Sequence, residues 1–373
     1  EWDTIIFDEA SMIMLPAIIL PLFKRKYKQC IEDESKYTEF IIGGDPLQLP
    51  PIYDITDSDL GEDNEGIKEE NIYTMIGLSS FDENIQSQIP KYGNNIMNLP
   101  VQYRSIEPIG TIFSKFQYNG ILKHGRNDGL GGSPGPRSLP PYFANLGFKP
   151  VTIIRYPVNS SDIIFDPQKL NESPFHLYAS FLLNEMILKL RSEVRENWDV
   201  GVIAPYRSQA NLLNKLIESH LDKTKLSIIT DTVHGFQGGE CDIIFTLFNP
   251  SSINVSFSRF LKKEYIINVA ISRAKDYLII LLPDEKANGF NSLPLFHDSF
   301  PNSLLSIIKE LPRDTVSYLD AEDLEKKIMG KENYFQKNSF TNLHQSVNIY
   351  SDLYKDYIVR LSKSAIDVHL KMK

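Results

Sequence analysis

Ile5-Ile6-Phe7-Asp8-Glu9-Ala10-Ser11, with Gly43-Gly44-Asp45-Pro46-Leu47-Gln48-Leu49-Pro50-Pro51 downstream, decides how this chain is read. An apolar, β-branched run predicts a buried parallel strand, and this one delivers two adjacent carboxylates to its C-terminal end, where open α/β sheets bind ligands. Phosphoryl transfer depends on positioning and charge neutralisation, so Asp8 in that place would hold Mg²⁺ and Glu9 would polarise an attacking water. A lone acidic pair after a strand is equally well a solvated strand end. The second segment repeats the pattern, with Phe40-Ile41-Ile42 as strand, Gly43-Gly44 as a tight turn, and Asp45 and Gln48 where that strand ends.

Four further segments follow in order: Gln102-Tyr103-Arg104, GVIAPYRSQ at 201 to 209, TVHGFQGGECDII at 232 to 244, and NVAISRAKDYLII at 268 to 280. Together with the first two they resemble the superfamily 1 helicases, in particular the B branch that includes the up-frameshift RNA helicase. The resemblance rests on DEAS, GDPLQLPP, QYR, VHGFQGGECD and VAISRAK in that family's motif order, and covers about residues 1 to 285. It implies an α/β fold of tandem RecA-like P-loop NTPase domains with parallel sheets. The first domain would occupy 1–100 and be incomplete, the second would occupy 101–285, and a helical extension of unknown role would fill 286–373.

The resemblance also implies roles. Gln48 would sense the γ-phosphate of ATP, while Arg104 and Arg273 would serve as arginine fingers. A planar guanidinium suits the spread charge of a phosphoryl transition state better than lysine does. Gly238 and Gly239 would let backbone pass close to the nucleotide, and Glu240 would match the family's ribose-binding or cleft-ordering acid. Tyr206, Thr232 and His234 would face the single strand, with Tyr206 stacking on a base. His234, beside a glycine, is as readily a structural histidine.

A complete member carries a phosphate-cradling loop of the form GxxxxGK(S/T), and none is present. Gly330-Lys331 is followed by Glu332 and has Glu325 where the first glycine should stand. The run GLGGSPGP at 129 to 136 has no lysine and two prolines, which marks a surface loop. The missing loop is expected in an N-terminal segment ahead of Glu1, and without it residues 1–373 are expected to be inactive as an ATPase.

The 42% hydrophobic content is ordinary for packed globular domains. Met12 to Phe23 is interrupted by Pro16 and Pro21 and is too short for a bilayer span of roughly 20 residues. Cys30 and Cys241 are the only cysteines, without companions at metal-ligand spacing, which fits a reduced intracellular setting, cytoplasmic or nuclear. A net charge of −9 argues against bulk electrostatic coating of nucleic acid, but not against a narrow groove that grips one strand through amides, hydroxyls and stacking rings. Much of that charge lies in 54–70, read as a solvated loop.

Helical spacing is expected at Leu177 to Arg195 and after Ser208, which can cap its helix, with strands at 151–154, 200–204, 243–247 and 277–282. Past 290 only Leu304 to Leu311 and Leu353 to Leu370 read as helical. The reading is an ATP- and Mg²⁺-dependent motor on single-stranded DNA or RNA, which the resemblance implies moves toward the 3′ end. Its rivals are a non-catalytic helicase-like scaffold and a nuclease, and the tail holds no acidic or histidine cluster for the latter.

Overall fold

Runs of β-branched and aliphatic residues too apolar to face water on either side can only be strands covered on both faces. In the computed structural model they form one six-stranded, all-parallel sheet. The structure describes residues 2–22, 38–51, 71–78, 81, 95–126, 135–162, 164–170, 173–218, 226–236, 238–250, 260–284 and 293–335. The chain divides into two compact units: Glu1–Pro100 with Gln117–Ile121, and Val101–Phe116 with everything from Leu122 onward.

In the first unit β1 (Thr4–Phe7) pairs in parallel with β2 (Glu39–Ile42), Ile5 opposite Phe40 and Phe7 opposite Ile42. Helices α1 (Leu15–Leu22) and α2 (Ile72–Met75) accompany them, and Ile5, Phe7, Ala10, Ile18, Tyr73 and Leu78 form the core. Asn71 caps α2 by accepting from the Tyr73 and Thr74 amides. The expectation of a buried strand holds on one face only. Ile5 and Phe7 are each 8% exposed, whereas Ile6 is 66% and Ile41 52% exposed, because no described element covers their side of the pair.

The second unit opens with β3 (Val101–Gln102), α3 (Glu107–Gln117) and β4 (Lys123–His124), and β3 pairs with β4. Then come α4 (Pro141–Leu146), β5 (Val151–Tyr156), the hairpin β6 (Gln168–Leu170) and β7 (Ser173–Phe175), α5 (Leu177–Glu193), β8 (Trp198–Ala204) and α6 (Arg207–Glu218). After these follow β9 (Leu226–Thr232), β10 (Cys241–Leu247), α7 (Glu264–Ile271), β11 (Ala274–Pro283), α8 (Leu304–Lys309), β12 (Val316–Asp320) and α9 (Ala321–Met329). The sheet order is β12-β5-β11-β10-β8-β9. Val200, Val202, Ile203, Ile244, Leu278 and Ile280 are fully buried in it, and each such side chain contributes roughly 1.5–3 kcal/mol by leaving water.

Pro205 stops β8, and α6 turns Leu212, Leu213, Leu216 and Ile217 inward at helical spacing. Ser208, expected as the cap, lies inside the first turn, and its amide donates to Ser173 Oγ at 2.9 Å. His176 caps α5 by accepting from the Ala179 amide, and its Nε2 donates to the Phe165 carbonyl. Burial pushes that imidazole down to about 4, so the neutral ring persists.

To the helix expected past residue 290 the structure adds a strand and a second helix. Val316–Asp320 pairs with β5 and α9 packs back on α5, so the extension is not purely helical. Glu325 of α9 is 2% exposed and takes hydrogen bonds from Tyr178 Oη and the Phe335 amide, both at 2.8 Å, while burial holds its carboxyl above the ordinary value. Gly330 ends α9 in the left-handed region, which is the role of that Gly-Lys pair. The helix expected at 353–370, the acidic segment 54–70, Cys30 and most of the glycine-rich run lie outside the described residues. No helix among the described residues is long and apolar enough to cross a membrane.

Candidate functional site

Because β1 and β2 run in parallel, their C-terminal ends emerge on the same edge, and the backbone fastens them there. Gly43 N–H donates to Phe7 O at 2.8 Å and Ala10 N–H to Gly43 O at 3.0 Å, which brings the Asp8-Glu9 turn against the GGDPLQ loop. Only glycine serves at 44. Its φ is 153°, and an added Cβ would lie 2.8 Å from Ala10 N, a backbone atom that cannot swing aside. Glu9 adopts φ 51°, the left-handed region, a strained conformation for a non-glycine residue of the sort that collects at functional sites. Asp8 and Glu9 are exposed, and Asp8 Oδ1 accepts the Glu9 amide at 2.9 Å.

Asp45 organises the second loop: Oδ1 accepts from the Leu47 amide at 2.9 Å and Oδ2 from Gln48 Nε2 at 3.1 Å. Tyr73 points its hydroxyl at the same edge. Burial, then the charges of Asp45, Glu9 and Asp8, push its phenol up to about 12. Among the described residues no group of three His, Cys, Asp or Glu could hold a metal ion. A single exposed carboxylate still fits Mg²⁺, which keeps most of its ligands as water and phosphate oxygens.

In the second unit the expected residues gather at opposite ends of the sheet. At the N-terminal ends of β10 and β11, Arg104 Nε donates to Glu240 Oε2 at 2.8 Å and Nη1 to the Ser272 carbonyl at 3.1 Å. Lys275 Nζ reaches Glu240 Oε1 at 2.9 Å. Arg273 is 2% exposed, buried rather than projecting, with its carbonyl accepting the Cys241 amide. Gly238 is exposed with φ 76°.

Burial alone would raise the Glu240 carboxyl, but hydrogen bonds and charge from Arg104 and Lys275 outweigh it and leave the pKa below the ordinary 4.5. A depressed folded-state pKa means that the pairing stabilises fully above 4.5 and loses its contribution as pH falls through the lowered value. Glu240→Gln is therefore expected to cost up to about 1 kcal/mol at neutral pH, discounted for solvent screening. That difference should close in acid. Denaturant titrations at several pH values measure it, and a gap that persists below the carboxyl range would contradict the pairing.

At the C-terminal ends lie Tyr206, half-buried after β8, Thr232, half-buried as the last residue of β9, and His234, half-buried just past it. Thr232 Oγ1 accepts the Gly235 amide at 3.2 Å, so its hydroxyl shapes the turn. Burial, then Lys263, hold the His234 imidazole below its ordinary value. The loop that starts here crosses the sheet face to reach Glu240, with Phe236 packed where a Cβ on Gly201 would lie 2.5 Å from its ring. One segment thus links both ends of the sheet.

Sequence reasoning missed Lys275, Tyr73 and Asn249. Asn249 is fully buried at the end of β10, beside the β8–β10 crevice where strand order reverses, and its Oδ1 has no hydrogen-bond partner among the described residues. The lysine stands inside VAISRAK, two positions after Arg273, and was legible as a charge there; the other two carry no motif signal.

The AAA domain family matches residues 78–284, more than half of the chain. DNA polymerase alpha-associated DNA helicase A of Saccharomyces cerevisiae is 29% identical over 287 residues, covering 75% of this chain and 38% of that protein. The DNA replication ATP-dependent helicase/nuclease dna2 of Schizosaccharomyces pombe is 28% identical, with 74% and 18% covered, and helicase sen1 of the same yeast is 25% identical, with 75% and 14% covered. The chain thus spans 14–38% of the length of these curated relatives. A solved PRRSV helicase covers 74% of this chain and 34% of its own at 12% identity and a TM-score of 0.29, too loose to bear on the fold. With ordered motifs, a parallel α/β sheet and helicase relatives in agreement, the chain belongs to the AAA domain family and, within it, to the superfamily 1 helicases of the B branch.

Proposed function

We propose that these residues form the C-terminal part of an ATP-driven motor on single-stranded nucleic acid, with 1–100 belonging to a first RecA-like domain and the second domain starting at 101. The observation that carries it is the backbone clamp that sets Asp8 and Glu9 beside the Gln48 loop at one strand edge. Asp8 would hold Mg²⁺, which when bound neutralises phosphate charge. Glu9 would accept the proton of the attacking water, and Gln48 would contact the terminal phosphate. Arg104 and Arg273 would stabilise the transferring phosphoryl group once released from their present partners. The intracellular single strand would lie along Tyr206, Thr232 and His234 at the other end of the sheet.

A preceding segment of a longer protein would supply the phosphate-cradling loop. The exposed Ile6 and Ile41, paired on one face, support this, since an apolar strand face gains stability by being covered. Residues 1–373 alone would then hydrolyse ATP negligibly.

Tyr206 tests the strand-binding half. In the longer protein Tyr206→Ala is expected to weaken single-strand affinity by roughly 1–3 kcal/mol with the melting temperature unchanged, because base stacking needs the ring. Unchanged affinity with a lowered melting temperature would show that the ring is core.

A further inference from the structure

The chain leaves the second unit at Phe116, passes through the first as Gln117–Ile121 and returns at Leu122. Tyr118, in that excursion, is 6% exposed. Its phenol donates to Asp45 Oδ2 at 2.5 Å, and its ring meets Phe81 edge-on at 5.6 Å. The same carboxylate oxygen accepts Gln48 Nε2, and the other oxygen accepts the Leu47 amide. One buried phenol therefore completes the hydrogen bonding of the acid that shapes the Gln48 loop. A bond to a charged acceptor is roughly twice as strong as a neutral one, so Tyr118 is a principal restraint on that loop.

Tyr118 directly follows α3, and the opposite end of α3 is also fastened. Ser105 Oγ donates to the Ala274 carbonyl at 2.6 Å, the Ile106 amide to the Lys275 carbonyl at 3.0 Å, and Arg104 to the Ser272 carbonyl at 3.1 Å.

We propose that Tyr118 is a positioning residue for ATP hydrolysis: through Asp45 it holds Gln48 in place. This rests on the reading of the site as an ATPase. Tyrosine is required for its hydroxyl. Phenylalanine keeps the ring contact with Phe81 and removes only the donor, leaving Asp45 one hydrogen bond short.

Two experiments separate the proposal from the reading beneath it. In residues 1–373, Tyr118→Phe should speed hydrogen exchange at the Leu47 and Gln48 amides by about tenfold, the fold-change a hydrogen bond to a charged group is worth. Exchange elsewhere and the melting temperature should not move. Unchanged exchange at 47 and 48, or faster exchange throughout the unit, would overturn the restraint. In the longer protein that carries the phosphate loop, Tyr118→Phe should lower kcat by about tenfold with KM for ATP within about twofold, the pattern of a group that acts in the transition state. The double variant Tyr118→Phe/Asp45→Asn should be no slower than Asp45→Asn alone. Multiplying losses, or faster exchange with kcat unchanged, would overturn the link to hydrolysis. A wild-type protein without ATP hydrolysis would instead sink the ATPase reading, and the exchange result would still decide whether Tyr118 holds the loop.

Discussion

Glu9→Gln in the longer protein is expected to lower ATP turnover by roughly 10²–10⁴-fold, the range contributed by a positioned general base. ATP affinity should be retained, because the amide keeps the shape of the carboxylate and loses only its capacity to take a proton. Folding should be unaffected as well: Glu9 is exposed, and its φ of 51° is imposed by the Ala10–Gly43 clamp rather than by its own side chain. Steady-state hydrolysis, nucleotide binding and melting temperature on one preparation decide it. Turnover at the wild-type rate would remove Glu9 from the mechanism, whatever the sequence around it resembles.

Arg273 should produce the second large loss, and the choice of replacement matters. The side chain is 2% exposed, so alanine would empty a buried site and confound chemistry with folding. Lysine keeps the charge and most of the length but lacks the planar fork of donors. Arg273→Lys is expected to slow hydrolysis by roughly 10³-fold, the lower end of what an arginine finger supplies. Its denaturant midpoint should stay close to wild type. A lysine variant with full activity would assign Arg273 to the architecture of β11. A fully inactive variant that is also grossly destabilised would point the same way.

Strands with long apolar runs were legible before the structure. Val151–Ile154, Val200–Ala204, Ile243–Leu247 and Tyr277–Leu282 all lie within observed strands. The two edge strands were not. Leu226–Thr232 leaves Ile229 51% exposed, and Val316–Asp320 leaves Tyr318 53% exposed, so neither needs the apolar run that advertises a central strand. The first two strands misled in the opposite sense, since their sequence is that of buried strands while half of their side chains face outward among the described residues.

The motifs named the residues of the candidate site but not their partners. That Glu240 would hold both Arg104 and Lys275, or that Tyr118 would reach Asp45 from 73 positions away, follows from chain crossings that no local pattern encodes. The motif order also gave no hint that Arg104, Glu240 and Arg273 sit at one end of the sheet and Tyr206, Thr232 and His234 at the other. That separation comes from strand direction, which places the starts of β10 and β11 opposite the ends of β8 and β9.

The most direct measurement is Mg²⁺-dependent phosphate release from ATP by the longer protein, with and without a single-stranded homopolymer, beside Glu9→Gln and beside residues 1–373 alone. The account predicts hydrolysis that the strand stimulates in the wild type, a loss of roughly 10²–10⁴-fold in the variant, and none above background in the isolated residues. Hydrolysis indifferent to the strand, equal in the Glu9→Gln protein, or fully retained by residues 1–373 would contradict it.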